Sequence, residues 1–162
     1  MSPRKESDRP RVALLHTADR TGVTEFAHAL LELGFELIAT GPTAAALRQA
    51  QAPHKSLSEF TGERLGADAL SLLHPALVGA IAGEPPGVDL VAVNFYPLAE
   101  ATADASLTQD EVLSYVDPAG PALLRAAARN FKSFVPLCDP DDYAQAVATL
   151  QAYPRMLPDR RQ

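Results

Sequence analysis

The sequence has one cysteine, Cys138, and only three lysines, Lys5, Lys55 and Lys132, among 14 cationic residues. A single thiol cannot form an intrachain disulfide, so stability must come from the core; a chain of this length hides about 70% of the surface it exposes when unfolded. No apolar run reaches the ~20 residues needed to cross a bilayer, because charge, Gly or Pro interrupts each one. The polar, charged start, Met1–Asp8, lacks the pattern of a secretory signal. A cytoplasmic location with no membrane partner is the expectation. The formal net charge of -6 has the wrong sign for a nucleic-acid track, yet leaves room for one phosphate. There is no Gly-x-Gly-x-x-Gly and no Walker lysine, which disfavours dinucleotide and P-loop chemistry. The four histidines, His16, His28, His54 and His74, are scattered, with no HExxH and no Cys/His spacing, so no metal site is expected. Cys138 has no His partner nearby in sequence and reads as an inert buried thiol.

What the chain does contain fits one globular domain, two at most: 47% of residues are hydrophobic and 21% charged. Tails rich in Pro and charge at Met1–Pro10 and Pro154–Gln162 read as loosely held ends around a domain spanning 11–153. Between them, short β-branched apolar runs alternate with helical periods, the pattern of βα units on a parallel sheet. The expectation is an α/β fold with five strands, at Val12–Leu15, Glu36–Ala39, His54–Leu57, Val88–Val93 and Phe134–Leu137. The run VDLVAV is the strongest, continuous because both faces of a parallel sheet are covered. Helices are expected at Val23–Leu33, ended by Gly34, and at Thr43–Gln49, Thr108–Tyr115, Ala119–Arg129 and Asp141–Gln151. A short helix around His74–Pro75, within Ala69–Ala82, and a turn at Gly83–Gly87 lead into the strongest strand.

Open parallel sheets bind ligands outside the carboxyl ends of their strands, so the loops after strands carry most weight. In His16–Gly22, Asp19, Thr21 and Gly22 open a helix whose free N–H groups and dipole favour an anion, or act as plain capping residues. In Thr40–Thr43, Gly41 lets backbone approach a ligand, Pro42 suits a first helical turn, and two hydroxyls can donate to phosphate. In Asn94–Leu98, Tyr96 precedes a proline and is held extended, its phenol over a pocket or packed at a strand end. In Val116–Asn130, Asp117 stands before a Pro-Ala-Gly-Pro turn as an acid–base group or a helix cap, and spacing alone favours the cap. Arg125 and Arg129 share one helix face, either solvated or facing an anion.

Taken in order, RVALLHTADRTG, ELIATGPT, LLHP, DLVAVNFYP and VDPAGPALLRAAARN resemble the N-terminal inosine monophosphate (IMP) cyclohydrolase domain of the bifunctional purine-biosynthesis enzyme, over roughly residues 11–150. The most specific pieces are Asp19-Arg20-Thr21-Gly22, Asn94-Phe95-Tyr96-Pro97 and Asp117 followed by Gly120-Pro121 and Arg125 to Asn130. The resemblance implies a methylglyoxal synthase-like fold, a three-layer α/β/α sandwich with a parallel five-stranded sheet. It also implies closure of 5-formamidoimidazole-4-carboxamide ribotide to IMP, in which the carboxamide nitrogen attacks the formyl carbon and water leaves. No cofactor or metal is implied. Such a reaction requires near-attack positioning, oxyanion stabilisation and proton transfer. By matched position, Asp19, Arg20, Thr21 and Gly22 with Thr40, Gly41 and Thr43 would hold the 5′-phosphate. Asn94, Tyr96 and Asp117 would surround the base and, with Arg129, form the implied catalytic set. Ser71 and Gly120 join the implied substrate contacts, and N–H groups opening the Ala119–Arg129 helix are candidate oxyanion donors.

The departures from the family pattern lie at these positions. Where the family has Lys before Thr-Leu-His-Pro, and Arg two residues earlier, this chain has Ser71 and Ala69. The family's Ser-Val-Ser-Asp-Lys-Thr-Gly reads His16 to Gly22, with Arg20 for Lys; Thr-Gly-Gly-Thr has Pro42; Asp-Ile-Gly-Gly-Pro has Pro118 and Ala119; and a helix-end Lys is Arg129. Arg keeps the charge but cannot release a proton at neutral pH. The segment between His74-Pro75 and Val88 is shorter than the family's, and the formyltransferase half is missing. The leading expectation is a stand-alone cyclohydrolase acting on a small-molecule purine ribotide, beside a separate formyltransferase, as a homodimer. The alternative is a non-catalytic or repurposed ribotide-binding domain. The acidic motif associated with methylglyoxal synthase is not evident.

Overall fold

The computed structural model describes residues 10–65, 69–82, 87–132 and 134–153. Apart from Pro10, both expected tails lie outside the described residues, as do residues 83–86 of the expected turn. A parallel sheet runs in the order β2-β1-β3-β4, with β1 Arg11–His16, β2 Phe35–Ala39, β3 Leu90–Val93 and β4 Val135–Leu137. Successive strand residues point to opposite faces, and here both faces are buried. Ala13, Leu15, Leu37, Leu90 and Ala92 pack on one side with Phe26, Leu30 and Leu47 of α1 (Val23–Glu32) and α2 (Gly41–Gln49), and with Leu150 of α8 (Tyr143–Ala152). Val12, Leu14, Val91 and Val93 pack on the other with Leu57 of α3 (Leu57–Thr61), Leu77 and Ile81 of α4 (Pro75–Ala82), and Leu123 and Ala127 of α7 (Gly120–Arg129). The result is the expected α/β/α layering.

The sheet has four strands rather than the expected five. The stretch expected as a strand at His54–Leu57 makes one parallel bridge, Ile38 to Lys55, in which Lys55 N–H donates to the Leu37 carbonyl at 2.8 Å and Ala39 N–H to the Lys55 carbonyl at 3.1 Å. It goes no further because Ser56 starts a helix. Its hydroxyl accepts from Glu59 N–H while the Glu59 carboxylate accepts from Ser56 N–H, a capping box that opens α3.

Element ends move by one or two residues elsewhere. β3 starts at Leu90, and Asp89 just ahead of it accepts from Val12 N–H through its carboxylate at 2.8 Å. β4 starts at Val135. α2 starts at Gly41, with Thr40 as its N-cap residue, and α1 ends at Glu32 before Gly34 at φ 81°. Thr108 is the cap, not the first residue, of α6 (Gln109–Leu113), and Pro140–Asp142 forms a 3₁₀ turn ahead of α8. His74-Pro75 is a junction between a 3₁₀ segment, Ala69–Leu73, and α4, rather than the centre of a helix. Two short helices escaped the periodicity, α3 and α5 (Leu98–Ala103), each too short to show a full helical repeat. Cys138 is exposed, correcting the expectation of a buried thiol, because it stands just past the end of β4. Among the described residues, no helix is long and apolar enough to cross a membrane.

Chain order and strand order together position the site. β1 leads outward to β2, and the chain returns on β1's other side to form β3. Connections therefore diverge at the carboxyl ends of β1 and β3, which leaves a crevice there.

Candidate functional site

His16 is the last residue of β1, and the period of two places it on the side of Val12 and Leu14, toward α7. There its Nε2 lies 3.2 Å from Oδ2 of Asp117, and its Nδ1 lies 2.7 Å from Oγ1 of Thr40. Both side chains are enclosed, with exposures of 11% for His16 and 5% for Asp117. Asp117 also serves as a cap, since its Oδ1 accepts from Ala119 N–H and Gly120 N–H, each at 2.9 Å. The cap reading is the one the geometry shows: one carboxylate oxygen opens α7, and the other faces an imidazole. Burial raises the affinity of this carboxyl for its proton. The Gly120 and Ala119 N–H groups and the His16 ring outweigh that and hold its pKa below the ordinary value.

Gly120 makes this approach possible. A β-carbon there would sit 2.3 Å from Asp117 Oδ2 and 3.0 Å from Val93 Cγ1. The candidate oxyanion donors opening α7 are thus committed to Asp117. Thr40 occupies the N-cap position of α2, yet its side chain makes no capping bond and turns to His16 instead.

The loop Asp19–Gly22 is built differently. Oδ1 of Asn94 accepts from Ala18 N–H (2.6 Å) and Asp19 N–H (2.9 Å), while its Nδ2 donates to the Asp19 carbonyl at 2.7 Å. Buried Asn94 is thereby a clamp between the loops after β1 and β3. Asp19 accepts from the N–H and hydroxyl of Thr21, and the backbone bond is the larger cause of its lowered pKa. Gly22 holds φ 67° as α1's N-cap residue, a left-handed conformation that suits glycine. Thr43, fully buried, accepts from Thr17 N–H at 2.9 Å and donates to the Thr17 carbonyl at 3.1 Å. Its hydroxyl is committed inside the protein.

A cavity of about 420 Å³ opens at the crevice. Of the residues expected from sequence, Thr40, Gly41, Ser71, Tyr96 and Asp117 line it, while Asp19, Arg20, Thr21, Gly22, Thr43, Asn94, Gly120 and Arg129 do not. Arg129 is exposed at the far end of α7, about 14 Å along the helix from Gly120 at 1.5 Å per residue. Sequence reasoning missed His16, Arg48, Ser56, Ser58 and Ser114 in the lining. His16 had a usable signal: a histidine ending a central strand, at a position where the family pattern has serine. Arg48 brings a cation from the last turn of α2. Tyr96 meets Tyr115 edge-on, with ring centroids 6.0 Å apart. Hydroxyls, one cation, a phenol and an imidazole–carboxylate pair around an apolar floor of Leu57 and Leu72 suit a ligand with an anionic group and a planar polar ring. Among the described residues, no group of three His, Cys, Asp or Glu side chains could hold a metal ion.

This fold and crevice define the class: residues 22–116 match the MGS-like domain, and the chain belongs to that family. Its relatives include the bifunctional purine biosynthesis protein PurH. The protein of that name from a Cyanothece species is 39% identical over 160 residues, covering 88% of this chain and 31% of PurH. That from Lactococcus lactis is 37% identical over 153 residues, covering 85% and 29%. The chain thus spans about a third of the length of these relatives. The crystal structure of ForH superposes with a TM-score of 0.75 at 28% identity, covering 94% of this chain and 86% of ForH.

Proposed function

We propose that this chain is a stand-alone IMP cyclohydrolase, closing the ring of 5-formamidoimidazole-4-carboxamide ribotide to give IMP and water. The observation that carries the reading is the convergence of Thr40, Gly41, Ser71, Tyr96 and Asp117, drawn from four separate segments, on one cavity of about 420 Å³. That volume lies within the ~300–1,000 Å³ usual for small-ligand sites. PurH relatives support the purine ribotide as substrate, and ForH shares the fold over 94% of this chain and 86% of its own.

Ring closure is intramolecular, so positioning contributes most of the acceleration. Arg48 with the hydroxyl of Ser58 holds the phosphate end, a modification of the placement expected from sequence. The loop Asp19–Gly22 shapes the crevice through Asn94. Tyr96 donates to the oxygen that becomes negative as the carboxamide nitrogen adds to the formyl carbon. The enzyme works as a cytoplasmic homodimer, for which exposed Phe95, Leu98, Leu113 and Val116 offer apolar surface, with a separate formyltransferase supplying its substrate.

The test is to supply the formylated ribotide and follow IMP. Turnover well above the buffer rate, much reduced in Tyr96→Phe, is the expected result. Folded protein that binds IMP but gives no turnover would favour a ribotide-binding domain instead, a reading to which Ser71 in the family's lysine position lends weight.

A further inference from the structure

We infer that Asp117, His16 and Thr40 form a carboxylate–imidazole–hydroxyl relay that moves protons between the cavity and the ring of His16; this rests on the cyclohydrolase reading above. All three side chains line the cavity, and the two contacts, 3.2 Å from Asp117 Oδ2 to His16 Nε2 and 2.7 Å from His16 Nδ1 to Thr40 Oγ1, run in series. An ionised carboxylate only accepts hydrogen bonds, so Nε2 carries the ring proton and Nδ1 is the free base, accepting from the Thr40 hydroxyl. Thr40 is released for this task because it makes no capping bond to α2. Asp117 is fixed by two backbone N–H groups on its other oxygen, so the ring is held in one tautomer.

The chemistry balances with no outside reagent. As the carboxamide nitrogen adds to the formyl carbon, a C–N bond forms and the nitrogen passes one proton to Thr40 Oγ1. Thr40 passes its own proton to His16 Nδ1. The imidazolium returns that proton through Thr40 to the formyl oxygen, now a hydroxyl. The proton of the formamide nitrogen then follows the same route as the C–O bond breaks and water leaves, so that the new C=N bond forms to that nitrogen, the former carboxamide nitrogen keeps one hydrogen, and the imidazole of His16 ends neutral. Thr40 is the catalytic residue here, because it meets the substrate; His16 and Asp117 act through it. The chain thereby places an imidazole base in the site where the family's lysine has become Ser71.

Among the described residues, the charged or titratable groups facing the cavity with His16, besides Asp117, are Tyr96, from the loop after β3, and Arg48, from α2. The test is the pH dependence of kcat on the formylated ribotide, for the wild type and for His16→Gln, Thr40→Val and Thr40→Ser. The wild type loses rate as pH falls, because a protonated ring accepts no further proton. His16→Gln is expected to lower kcat by about 10²-fold or more, with KM little changed, and to abolish that acid limb. Thr40→Val falls comparably, and Thr40→Ser recovers most of the rate. An acid limb that persists in His16→Gln, or a Thr40→Val enzyme as fast as the wild type, overturns the relay alone. No turnover by the wild type overturns the cyclohydrolase reading together with it. Should His16→Gln fail to fold, the two Thr40 variants decide, since Thr40→Val replaces the hydroxyl by a methyl group of similar size while Thr40→Ser keeps it.

Discussion

The two loops that meet at the end of β1 do opposite things with their polar groups. In Asp19–Gly22, carboxylate, hydroxyl and amide are turned on one another or on Asn94, and none of the four residues faces the cavity. At His16, Thr40 and Asp117 the polar groups also pair, but they do so along the cavity wall. The polar groups of the first region are spent on the loop's own shape, and those of the second stand at the cavity. The sequence motif Asp-Arg-Thr-Gly is specific in both senses, yet a specific motif can mark a scaffold that must be shaped one way as readily as a group that reacts.

Breaking the second region has the largest expected effects. Asp117→Asn keeps an oxygen for the Ala119 and Gly120 N–H groups but presents an amide to the Nε2–H of His16, so kcat should fall by about 10²–10⁴-fold with a smaller loss of stability. Chemical denaturation checks the second half of this as a function of pH. The Asp117 carboxyl is held below its unfolded value of 3.8, so its contribution to stability is present above that pH and lost as pH falls through the folded value; Asp117→Asn should lose less stability over the same acid range.

Gly120→Ala sharpens the contrast from the backbone side. Its new β-carbon meets Asp117 Oδ2 at 2.3 Å and must displace the carboxylate or Val93. A cost of about 1–3 kcal/mol in unfolding free energy is expected, with a fall in kcat much larger than any rise in KM. In the first region the pattern should invert. Asn94→Ala removes three hydrogen bonds from the β1 loop, and about 1–3 kcal/mol should be lost with kcat affected mainly through KM. The smallest effect is expected for Thr21→Val, exposed on the same loop, whose unfolding free energy should stay within about 0.5 kcal/mol of the wild type. A Thr21→Val enzyme with kcat reduced as much as Asp117→Asn would erase the distinction between the regions.

The layering and most elements were legible because they follow from periodicity: Leu90 to Val93 is apolar on both faces, and Val23, Phe26, Ala27 and Leu30 fall on one side of α1. The fifth strand was not, because the preference of Ser56 and Glu59 for a capping box competes with extended pairing after a single bridge at Lys55. Among site residues, Thr40, Gly41, Ser71, Tyr96 and Asp117 were legible from their place after strands or in motifs, and all reach the cavity. His16 was harder to read because its partners lie 24 and 101 residues away, distances over which spacing carries no information. Arg48 and the serines at 56, 58 and 114 stand on helices or their ends, outside the loops to which strand-end reasoning directs attention.

The most direct measurement is a crystal structure of the protein with IMP. The account predicts the purine ring in the cavity beside Thr40, Tyr96 and Asp117, within hydrogen-bonding reach of the Thr40 hydroxyl, and the phosphate toward Arg48. IMP bound on the Asp19–Gly22 loop with its base away from Thr40, or no IMP bound at saturating concentration, would contradict it.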